Sequence, residues 1–75
     1  MLSLDEIIES SVALLSKTGS DVLLILGTEI TADGIPVSSA EIQGTMELTF
    51  VKAFNKPVIQ PDEKYYLYRL SRKND

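Results

Sequence analysis

Seventy-five residues without a cysteine or a histidine make a chain too short for two cores, and they remove disulfides, thiolate metal sites, the usual general base and the thiol nucleophile together. Eleven acids against seven bases give a net charge of −4, which disfavours nucleic acid, where affinity is dominated by phosphate neutralisation. The N-terminal M-L-S-L-D-E lacks the basic region of a secretory leader, and no apolar run approaches the ~20 residues of a membrane span. The expectation is therefore a single small domain over residues 1–75, soluble, intracellular and cytoplasmic, a whole chain rather than a processed fragment and with no membrane partner.

Ser3 to Lys17 predicts a helix. Ser3 and Glu6 have capping-box spacing, Leu2 and Ile7 stand where a hydrophobic staple would close, and Asp5 and Glu6 complement the N-terminal dipole. Leu4, Ile8, Val12 and Leu15 form an apolar stripe widened by Ile7 and Leu14, while most polar residues lie off it. Lys17 and Gly19 supply the stop.

Val22 to Thr31 opens with five consecutive large aliphatic residues and then alternates. Such a run predicts a central strand, its first half buried on both faces and its second half on one. Asp33-Gly34, flanked by Ile30 and Ile35, predicts a hairpin turn, and Pro36 confines the return strand to an edge position there. From Ile42 a long alternating strand follows. Ile42, Met46, Leu48, Phe50 and Phe54 share one face with Gly44 and Lys52, and Gly44 is read as its bend or bulge. Asn55 to Glu63 is a loop by its two prolines, with Val58 and Ile59 tucked back, and Lys64 to Arg72 is the last strand. In it Tyr66, Tyr68 and Leu70 face one way, and Tyr65, Leu67, Arg69 and Ser71 the other.

The fold expected from this order is α+β: an N-terminal amphipathic helix packed on a four-stranded antiparallel sheet. The alternative is a small SH3-like or Sm-like β-barrel with a preceding helix, Gly27 and Gly44 turning its corners. The open sheet is favoured because Val22–Leu26 demands a layer on each side and one helix supplies only one. A second layer would then come from another chain.

No pattern names a reaction, so the expectation is no enzyme, no catalytic residue, no cofactor and no bound metal. Glu29, Asp33, Glu41 and Glu47 could in principle gather round a hard cation, but they lack the spacing of a ligand loop and read as a solvated strand face. The four glycines are scattered singly and make no phosphate cradle. Eight acids stand against Lys17 alone in residues 1–50, whereas six bases stand against three acids in residues 51–75. Two surfaces follow as candidates for partner binding. One is the basic, tyrosine-rich last strand with Tyr65, Tyr66, Tyr68, Arg69 and Arg72; the other is the acidic helix face with Asp5, Glu6 and Glu9. The function expected is that of a small acidic protein-interaction module, a homo-oligomer or a regulatory or inhibitory subunit on a larger protein partner. The alternative is a β-barrel that binds nucleic acid through its Tyr/Arg-rich last strand.

Overall fold

The structure, a computed structural model, describes residues 3–55 and 63–73. Helix α1 (Leu4–Thr18) begins where its capping box dictates. The Ser3 hydroxyl accepts the Glu6 N–H and the Glu6 carboxylate accepts the Ser3 N–H, each at 3.2 Å. It ends at Gly19, whose φ of 73° suits a residue without a Cβ and whose N–H closes on the Leu15 carbonyl at 2.8 Å. Leu2, the outer half of the expected staple, lies outside the described residues. Leu15 and Ser11 are buried under the helix, and the Ser11 hydroxyl is satisfied by donating to the Ile7 carbonyl at 2.8 Å.

Six strands follow: β1 (Val22–Leu26), β2 (Thr31–Ala32), β3 (Ile35–Pro36), β4 (Ser39–Ile42), β5 (Met46–Asn55) and β6 (Lys64–Arg72). Four of them form one antiparallel sheet in the order β1-β6-β5-β4, and β2 and β3 form a separate hairpin. The α+β architecture of one helix on a four-stranded antiparallel sheet is thus the observed one. Among the described residues β1 and β4 are unpaired edges, so the sheet is open rather than closed into a barrel.

Three sequence expectations are corrected. The aliphatic run is not central: β1 stops at Leu26 and stands at an edge, with the sequence-distant β6 as its neighbour. Residues 31–36 leave the sheet as a hairpin, whose turn holds Asp33 and Gly34 at φ 53° and 79°, the positive pair that an Asp-Gly turn favours. The long strand from Ile42 is two strands. Gln43 and Gly44, at φ 55° and 73°, reverse the chain, and the Thr45 N–H donates to the Ile42 carbonyl at 3.3 Å. Gly44 therefore makes a turn, and the bulge lies at Val51, where the β5–β6 register slips between Phe50 and Lys52. The slip carries Lys52 and Phe54 to the face opposite Phe50, because one extra residue inverts a period of two. The expected loop with Val58 and Ile59 lies outside the described residues.

The core occupies the inner face of the sheet. Leu24 and Leu26 of β1, Tyr68 and Leu70 of β6, and Met46 and Leu48 of β5 are buried there with Leu15 of α1. Half-buried Ile7, Ile8, Val12, Ile30, Ile42, Phe50 and Tyr66 pack round them. Fully burying such side chains stabilises by about 1.5–3 kcal/mol each, so this face carries the stability of the domain. Helix α1 covers the β1–β6 half of it. Ile30 adds cover where the chain leaves β1 for the hairpin, its N–H donating to the Tyr68 hydroxyl at 2.9 Å. Among the described residues no helix is long and apolar enough to cross a membrane.

Candidate association surface

The opposite, outer face is built from the alternate residues of the same strands. In register across it run Ile25, Leu67 and Lys52 in one row and Leu23, Arg69 and Thr49 in the next. Beyond them Phe54 and Tyr65 are paired, with rings 5.8 Å apart and tilted by 48°, and the Lys52 ammonium lies 5.9 Å from the centre of the Phe54 ring. Such contacts between an ammonium and a ring are weakly attractive when exposed. No described element packs on this face. Leu23 is 65% exposed and Ile25 59%, values far from the 4% of Leu24 between them. Two large aliphatic side chains standing in water beside half-buried Leu67 and Tyr65 make an apolar patch rimmed by Lys52 and Arg69, the composition of an interface core and its rim.

The residues proposed from sequence for partner binding are divided by the fold. Tyr65 and Arg69 lie on the outer face, where Arg69 is exposed and Tyr65 half-buried. Tyr66 and Tyr68 point the other way. Tyr68 is 1% exposed, meets Phe50 edge-on at 5.6 Å and holds the Ile30 amide, so its ring belongs to the core and not to a contact surface. Tyr66 is half-buried against the same core. The three tyrosines therefore form no common stacking platform, because neighbours on a strand alternate between faces. Arg72 is exposed at the inner-face register opposite Met46. Asp5, Glu6 and Glu9 are exposed on α1, across the sheet from Tyr65 and Arg69, and Glu6 is engaged in the cap.

Charge from the two halves of the chain meets at the far edge. Lys73 donates to the Glu41 carboxylate at 2.7 Å, and its N–H donates to the Thr45 carbonyl at 3.0 Å. The hydrogen bond to Glu41, with the charge of that carboxylate and of Glu47, holds the Lys73 ammonium above the usual lysine range. Glu41 and Glu47 stand opposite one another across β4 and β5, whereas Asp33 sits in the hairpin turn. Among the described residues no three such side chains converge into a metal site.

Sequence reasoning named Leu67 as a companion of Tyr65 and Arg69 but missed Leu23, Ile25 and Phe54 as surface residues. The five-residue aliphatic run was the signal for the first two. Such a run predicts burial on both faces, but here it forms an edge strand whose outer face no described element covers. No protein-family model, curated protein or solved structure matches the chain.

Proposed function

We propose that this chain is a small protein-interaction module that works through the outer face of its sheet, with itself or as a regulatory or inhibitory subunit on a larger protein. The observation that carries this reading is the exposure of Leu23 and Ile25 beside Leu67 and the Tyr65–Phe54 pair. Leaving such side chains in water forfeits about 1.5–3 kcal/mol each, a gain that a partner would recover. Charge supports a protein rather than a nucleic-acid partner, since the net balance is −4 and the tyrosines do not converge.

The test compares the wild type with Leu23→Ser/Ile25→Ser. Both positions are exposed, so the variant is expected to keep its fold by circular dichroism. Sedimentation and affinity capture from the native host are then run on both proteins. Association or capture that is present in the wild type and lost in the variant supports the reading. A wild type that neither self-associates nor retains any protein that the variant loses would sink it.

A further inference from the structure

We infer that the β1 edge beside this surface pairs with the β1 edge of a second copy of the chain, in a two-fold antiparallel pair centred on Leu24, so that two four-stranded sheets become one of eight strands. The inference rests on the association reading above and specifies its partner.

Two observations point to it. The first is the contrast between the two edges. β4 is four residues long and carries Glu41, which is held by Lys73. β1 is V-L-L-I-L, with no charge, proline or bulge to blunt it, and its outer backbone groups have no strand neighbour among the described residues. An edge of that kind is a template for another strand.

The second is self-complementarity. A two-fold axis at Leu24 sets Val22 against Leu26, and Leu23 against Ile25, of the other copy. Apolar side chains then face apolar side chains on both faces of the joined sheet. The same register sets Asp21 against Gly27 and Glu29 against Gly19, so the acids that flank the strand do not oppose each other.

The absence of cysteine allows a direct test of register. Leu23→Cys and Ile25→Cys are prepared separately, mixed and mildly oxidised, with exposed Ser16→Cys as the control. In the inferred pair residue 23 lies opposite residue 25 of the other copy, about 4.5–5.5 Å between Cα atoms and within disulfide reach. Two copies of residue 23 lie about 8 Å apart, which is beyond it. The mixture should therefore cross-link several-fold more than either variant alone or the control. Sedimentation should show a dimer that Ile25→Lys, acting twice across the axis, weakens about a hundredfold. A dimer whose 23–25 cross-link is no better than the control overturns the β1 pairing and leaves the association reading standing. A strict monomer at all concentrations overturns the second copy as partner. The association reading then fails as well only if Leu23→Ser/Ile25→Ser changes nothing that the wild type captures.

Discussion

The inner and outer faces of the sheet are made by the same strands, yet α1 and Ile30 cover one while no described element covers the other. Within β1 the contrast falls between adjacent residues, Leu24 and Leu26 buried, Leu23 and Ile25 exposed. Within β1 residue type does not separate the buried positions from the exposed ones; what separates them is which face a described element covers. Apolar residues under the helix hold the domain together, and Leu23 and Ile25 on the other face stand exposed.

Substitutions that treat the two faces alike should break this contrast apart. Leu70→Ala, at a position with no exposed surface, is expected to cost about 2–5 kcal/mol in urea unfolding. Tyr68→Phe removes the hydroxyl that accepts the Ile30 N–H and leaves that part-buried donor without its partner, at about 1–3 kcal/mol. Ser3→Ala, which weakens the cover by opening the cap of α1, should lower stability by about 1 kcal/mol, read as a shift in the urea midpoint. Ile25→Ser should change the unfolding of dilute protein by no more than about 0.5 kcal/mol while abolishing association, the reverse of Leu70→Ala.

The smallest effect belongs to the β4 edge. The Lys73 ammonium is raised above its ordinary value of 10.5 by Glu41, so its contribution is complete below that value and is lost as pH rises through the raised one. Thermal melts of wild type and Lys73→Met should therefore differ slightly at neutral pH, and the difference should close in strong alkali. Because the pair is exposed, the effect is small even at its largest.

What the sequence made legible was local. The bounds of α1 follow from Ser3, Glu6 and Gly19, whose hydrogen bonds join neighbours in the chain, and the two faces of β6 follow from strict alternation. The Asp33-Gly34 turn was equally plain. What stayed hidden was pairing between distant segments. Nothing near Val22 shows that its neighbour is Leu70 or that no described strand lies on its other side, so a run of five aliphatic residues points to the centre of the sheet instead of its edge. The bulge at Val51 carries no glycine or proline, and without it Phe54 and Lys52 fall on the wrong face. At the candidate site, alternation alone was enough to separate Tyr65 from Tyr66 and Tyr68. It could not show that Leu23 and Ile25 would be the exposed pair, because that depends on which layer is missing.

Hydrogen exchange at the two sheet edges, followed over a wide range of protein concentration, tests the central claim most directly. The outward amides of β1, residues 22–26, should exchange more slowly as concentration rises, while those of the β4 edge, residues 39–42, stay unchanged. If the β1 amides exchange at the same fast rate at every concentration, β1 is a solvent edge and the self-association account is contradicted.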